Sequence, residues 1–134
     1  MDLTLRPIGV VRSELHDRKK APRQGSEGAP DATIDLDPAY LPALLGVAAG
    51  DELILVTWLH QADRQRLQVH PRGDPQNPIA GVFATRSPHR PNPLGLHRVT
   101  VRAIEGARLR VGPLEAVDGT PVVDLKAVLD AGEA

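Results

Sequence analysis

Apolar residues fall along the chain in short runs that change phase at glycines and prolines. Leu5 to Ser13 carries Ile8, Val10 and Val11 and reads as a strand, with Pro7 and Gly9 marking an edge or a bulge. From Glu14 to Pro30 the chain turns polar and rich in Gly and Pro. A loop longer than about 12 to 15 residues is usually functional or disordered. Ala32 to Leu36 alternates apolar and polar as a half-buried strand does. Asp37-Pro38 then opens a helix, an N-cap carboxylate followed by proline at the first helical position. Leu41, Leu44 and Leu45 follow at helical spacing, and Gly46 is the stop. Glu52 to Leu59 is a near-continuous apolar run and the strongest strand. Further strands are predicted at Leu67–Val69, Ile79–Thr85, Val99–Ile104, Arg108–Val111 and Val122–Leu125, with a hairpin turn at Gly106.

Many short strands, one short helix and 13 prolines predict an all-β fold, a small closed or nearly closed β-barrel with long loops. The strand–helix alternation of a doubly wound sheet is missing. The 134 residues suit one domain, and no internal repeat is present. Aromatics are 2%, namely Tyr40, Trp58 and Phe83, so the core must be built from Val, Leu, Ile and Ala. The chain has no Cys, which excludes disulfides and thiolate metal sites. No signal-peptide run and no stretch of ~20 apolar residues appears, so the expectation is a cytoplasmic protein without a membrane partner.

The net charge of −1 does not by itself predict a polyanion partner. Of 16 basic residues only Lys19, Lys20 and Lys126 are lysines. The arginines suit bidentate contacts with carboxylate or phosphate, and equally fit a GC-rich genome.

Four segments stand out for chemistry. The run Gly81-Val82-Phe83-Ala84-Thr85-Arg86-Ser87-Pro88-His89-Arg90-Pro91-Asn92-Pro93-Leu94-Gly95 holds three prolines that fix φ, so its loop is stiff. That stiffness holds Arg86, His89, Arg90 and Asn92 in position. No Asp or Glu lies between Asp74 and Glu105, while Arg86, Arg90, Arg98 and Arg102 all do. An anionic group is a natural partner; a rigid turn with solvated arginines fits the composition as well. Asp118-Gly119-Thr120-Pro121 is a turn whose amides could face a ligand, or only a turn. His60-Gln61 ends the most apolar strand, where polar residues line a pocket or simply leave the core. Pro22-Arg23-Gln24 follows Arg18, Lys19 and Lys20 in the long loop, which on its own reads as a solvated basic run. Phosphate-loop, dinucleotide and nucleophile-elbow motifs are absent, and the five histidines show no metal-ligand spacing with carboxylates, so no metal is expected.

In this order the segments resemble the TsaA-like family, the TrmO tRNA methyltransferases, over about the whole chain. The resemblance begins at Pro7-Ile8-Gly9-Val10-Val11-Arg12-Ser13 and runs through to Asp118-Gly119-Thr120-Pro121-Val122-Val123-Asp124-Leu125-Lys126. The Gly81 to Gly95 segment is its most specific part. It implies a small β-barrel that binds S-adenosylmethionine, pairs as a homodimer, and methylates N6 of threonylcarbamoyladenosine beside the tRNA anticodon. The positions matching the family's cofactor segments are Pro22, Arg23, Gln24, His60, Gln61, Arg86, Leu96, Asp118, Gly119 and Thr120. No general base is assigned; His89, Arg90 and Asn92 are the candidates for orienting the substrate. The chain departs from the family in four places: Ala127-Val128-Leu129 follows Lys126 where Pro-Tyr is frequent, His97 stands where Ser is common, the segment between His60 and Gly81 is short and has its own character, and the sequence stops at Ala134 where some members carry a further C-terminal domain. Two other readings stay open: methyl transfer to a small molecule or other non-tRNA acceptor, and a non-catalytic module that binds S-adenosylmethionine.

Overall fold

The computed structural model describes residues 1–16 and 28–129. Six antiparallel strands close into a barrel in the order β1 (Gly9–Arg12), β2 (Ala32–Leu36), β7 (Arg108–Gly112), β6 (Leu94–Glu105), β3 (Glu52–Trp58) and β8 (Pro121–Ala127), which returns to β1. Two further strands, β4 (Gln68–Val69) and β5 (Ala80–Gly81), form a separate ribbon inside the β3–β6 connection. The expected all-β barrel is what the chain forms.

The alternation seen in the sequence decides which side chains enter the barrel. Ala32, Ile34 and Leu36 of β2 point inward with Leu109 and Val111 of β7, while Arg108 and Arg110 point out. Val99 and Val101 of β6, Leu53 and Leu55 of β3, Val11 of β1 and Val122 of β8 complete the packing with Leu114 and Ala116. Each buried Val, Leu or Ile among them contributes about 1.5–3 kcal/mol on burial. Aliphatic residues alone make this core, as the scarcity of aromatics demanded. On β3, Ile54 and Val56 face outward yet are almost as buried. Their register neighbours are Arg98 and Leu96 of β6, and Lys126 and Asp124 of β8. Burial on both faces is why β3 reads as a continuous apolar run without alternation.

Several expected boundaries move. The first strand is confined to Gly9–Arg12; residues 5–7 are exposed, and pairing reaches back only to Ile8, whose amide donates to Val122 O at 2.8 Å. The helix after Asp37 is a 3-10 helix, Pro38–Leu44. Asp37 caps it by accepting from Ala39 N at 3.0 Å, but Pro42 lacks the N–H that an α-helix would need there. Of Leu41, Leu44 and Leu45, only Leu44 packs on the core. Gly46 follows at φ +94, a left-handed stop. The strand expected over Ile79–Thr85 shrinks to Ala80–Gly81, because Val82–Ala84 coils into a 3-10 turn closed by Thr85 N on Val82 O at 3.1 Å. Conversely β6 begins at Leu94, well before the expected Val99, and runs through Gly95.

The register sets a polarity on the barrel. β1, β3 and β7 leave at the end where β2, β6 and β8 enter. The β1–β2, β3–β6 and β7–β8 connections therefore start and finish at one end. The opposite end holds residues 37–51, the Gly106-Ala107 hairpin turn, the entry to β1 and the exit from β8. Among the described residues no helix is long and apolar enough to cross a membrane.

Candidate functional site

The loop-bearing end collects three of the four segments singled out from sequence. His60-Gln61 lies just beyond Trp58, the last residue of β3, and Arg86 to Asn92 precede Leu94, its partner in β6. Asp118-Gly119-Thr120 precede Val122 of β8, which pairs with Thr57 on the other side of β3. Pro22, Arg23 and Gln24 fall in the β1–β2 connection but outside the described residues, as do Arg18, Lys19 and Lys20. Leu96 is the one candidate on a strand, half exposed on the outer face of β6 opposite Val56.

The loop from Thr85 to Pro93 is held by more than its prolines. Ser87 N donates to Thr85 Oγ1 at 3.1 Å and His89 N to Ser87 Oγ at 3.2 Å. The Arg90 guanidinium reaches back to the carbonyls of Thr85 (3.2 Å) and Ser87 (2.9 Å). A second loop clamps the first from outside: Asp63 N donates to His89 Nδ1 at 3.0 Å, and Arg64 Nε to Pro91 O at 2.7 Å. Arg64 also lies 5.0 Å from the centre of the Trp58 ring, within cation–π range, and 3.4 Å from Asn92 Oδ1. An acceptor at His89 Nδ1 puts that ring's proton on Nε2 when the imidazole is neutral. His89, Arg90 and Asn92 thus all help to build the loop.

Tertiary pairing resolves the missing counter-charge of this region. Arg98 pairs with Glu52, and Arg102 with Asp31 at 3.5 Å. Arg90 is occupied by carbonyls. Arg86 alone of the four is exposed with no hydrogen bond or ion pair among the described residues.

The Asp118-Gly119 turn is stitched to the exit of β1. Asp118 N donates to Leu15 O at 2.6 Å and Gly119 N to Val11 O at 2.8 Å. Thr120 N returns to Val117 O at 3.2 Å, and its buried hydroxyl donates to the same carbonyl at 2.7 Å. The three amides are therefore used within the fold, as are the Thr120 carbonyl, which accepts from Val11 N at 2.9 Å, and Asp118 Oδ1, which accepts from Ser13 N at 3.0 Å. Gly119 sits at φ +85, where a side chain would be strained.

Sequence reasoning missed a buried polar chain below this end. Thr57 Oγ1 and His97 Nε2 are 2.7 Å apart, and His97 Nδ1 is bonded to Glu115 Oε1. His97 is 6% exposed and Thr57 fully buried. The signal was present: His97 occupies the same inward phase of β6 as Val99 and Val101, and Glu115 interrupts the apolar run from Leu114 to Val117. Among the described residues no group of three or more His, Asp or Glu is arranged to hold a metal ion.

A six-stranded antiparallel barrel with the β3–β6 and β7–β8 connections at one end is the class these features define. Residues 10–132 match the family of the tRNA-methyltransferase O N-terminal domain, and the chain belongs to it. A probable S-adenosyl-L-methionine-binding protein of Methanothermobacter thermautotrophicus is 43% identical over 126 residues, covering 94% of this chain and 90% of that one. Another, from Pyrococcus horikoshii, is 45% identical over 124 residues, covering 90% and 78%. The crystal structure of TrmO from Pseudomonas aeruginosa superposes with a TM-score of 0.77 at 32% identity, covering all of this chain and 61% of that one. The chain thus spans about three-fifths of the solved TrmO chain.

Proposed function

We propose that the chain binds S-adenosylmethionine at the loop-bearing end of the barrel and transfers its methyl group to N6 of threonylcarbamoyladenosine in tRNA. The observation that carries this reading is the convergence at one end of the barrel of the β3–β6 and β7–β8 connections, with His60, Gln61, Arg86, Asp118, Gly119 and Thr120 upon them. Family membership and the names of the relatives support it. The residues fit the cofactor's chemistry. Arg86, unpartnered among the described residues, has a guanidinium for a carboxylate, and Leu94 and Leu96 present half-exposed apolar side chains on β6. When bound, the cofactor supplies an electrophilic methyl group on a sulfonium centre. The protein's task is then mainly to position donor and acceptor in line. In this reading Arg86 anchors the cofactor, Leu96 covers an apolar part of it, and the loop held by Arg90 and His89 keeps Arg86 in place. The threonylcarbamoyl substituent acidifies the N6 proton, which lessens the need for a strong base.

The same reading carries a homodimer and a cytoplasmic setting. Leu67, Ile79, Phe83, Leu94 and Leu96 are all exposed on the β3–β6 connection or the outer face of β6, which supports cover by a second copy. The test is incubation of the purified chain with methyl-labelled S-adenosylmethionine and bulk tRNA. Label in tRNA, traced to the modified adenosine, is the expected result. Label in another acceptor would leave only the methyltransferase, and binding without transfer would leave a cofactor-binding module.

A further inference from the structure

Thr57, His97 and Glu115 take no direct part in the proposed binding or transfer. Thr57 has no exposed surface, so its hydroxyl is not a nucleophile for any substrate. The order hydroxyl–imidazole–carboxylate still has a definite polarity. An ionised carboxylate only accepts, so His97 Nδ1–H donates to Glu115; with a neutral ring, Nε2 then accepts the Thr57 hydroxyl.

Each member belongs to a different element. Thr57 lies in β3 where the pairing with β8 shifts register, three residues before His60. His97 is on β6, next to Leu96 and two residues after Gly95. Glu115 is in the β7–β8 loop, three residues before Asp118. Gly95 covers the first bond: a Cβ there would lie 2.6 Å from Thr57 Oγ1 and 2.7 Å from His97 Nε2. Only a glycine lets β6 pass over it.

We infer that His97 is a positioning residue of the cofactor site, holding the ends of β3 and β6 and the β7–β8 loop in one relative arrangement through Thr57 and Glu115. This rests on the S-adenosylmethionine reading. Bonds inside the barrel then set the geometry of loops outside it, and a site ordered before binding diverts less of its contact energy into ordering. Loss of either bond lets the loops shift while the aliphatic core remains.

The test compares disruptive with conservative variants of the full chain, by calorimetric titration with S-adenosylmethionine and by thermal melting. Thr57→Val keeps the shape and removes the hydroxyl, Glu115→Ala removes the acceptor, and Gly95→Ala drives a methyl into the Thr57–His97 bond. Each is expected to weaken affinity about tenfold or more while folding cooperatively. Thr57→Ser and Glu115→Gln retain the donor and the acceptor, and should bind within about threefold of the parent chain. A protected downfield ring N–H signal of His97 should be present in the parent and absent from Glu115→Ala. Where Glu115→Ala does not fold, Thr57→Val decides. Folded disruptive variants with parental affinity overturn the inference, as do conservative variants no better than the disruptive ones. A parent chain that binds no S-adenosylmethionine overturns the cofactor reading and this inference with it.

Discussion

The carboxylate of Asp118 accepts a hydrogen bond from the backbone amide of Ser13 at 3.0 Å, across 105 positions of sequence. With the amides of Asp118 and Gly119 it sews the β7–β8 loop to the exit of β1. Asp118→Ala should therefore lower stability by about 1.5–3 kcal/mol, the range for a hydrogen bond to a charged acceptor. Asp118→Asn keeps an oxygen in place and should be less destabilised. Urea unfolding checks both; an unchanged midpoint in the alanine variant would mean that the bond adds nothing.

Arg86 is exposed and has no partner among the described residues, so replacing it should separate binding from folding. Arg86→Ala is expected to bind S-adenosylmethionine about tenfold more weakly or worse, through removal of one charge-assisted hydrogen bond. Its melting temperature should stay at the parental value. Calorimetry finding parental affinity in the folded variant would remove Arg86 from the site.

Arg64 joins two loops through Pro91 O and the Trp58 ring. Arg64→Ala should speed amide exchange across residues 86–93, while global stability falls by no more than about 1 kcal/mol, as befits exposed interactions. Exchange monitored by mass spectrometry gives the answer, and unchanged rates would show that the prolines and Arg90 suffice.

Neutralising Arg18, Lys19 and Lys20 together should weaken tRNA binding and flatten its salt dependence. The slope should fall by about 0.7–0.9 for each phosphate that these side chains neutralise in the parent complex. Filter binding over a salt series measures it. Cofactor affinity should hardly change, because charge effects in water are screened within about 8 Å at physiological salt. Parental binding across the series would leave these three residues only a solubility role.

Light scattering at micromolar concentration should give the mass of two chains. A stable 14.4 kDa species would count against the pairing.

The barrel was legible because it rests on period-two patterning: Ala32-Thr33-Ile34-Asp35-Leu36 and Arg108-Leu109-Arg110-Val111 assign their own inner and outer faces. What escaped were places where one residue overrides the pattern. Gly95 and the prolines before it read as loop, yet Gly95 is in β6, paired with Thr57, and it is a glycine because the Thr57–His97 bond beneath it leaves no room for a side chain. Val82–Ala84 looks like strand and coils, since Thr85 bonds back to Val82 by amide and hydroxyl. The candidate cofactor segments were visible as motifs. That Arg90 is taken up by the carbonyls of its own loop depends on how that loop folds back on itself, and that Glu115 lies against His97 depends on a tertiary approach no local pattern encodes.

The far end of the barrel offers a practical handle. β6 and β7 turn there through Gly106-Ala107 between the paired residues Glu105 and Arg108, with Gly106 at φ +60. A tight hairpin tip with nothing of the site upon it is a natural point for an epitope, a surface-attachment tag or a fluorescent label. Immobilised through that turn, the molecule would present its loops to solution, and its encounters with RNA could be followed one molecule at a time.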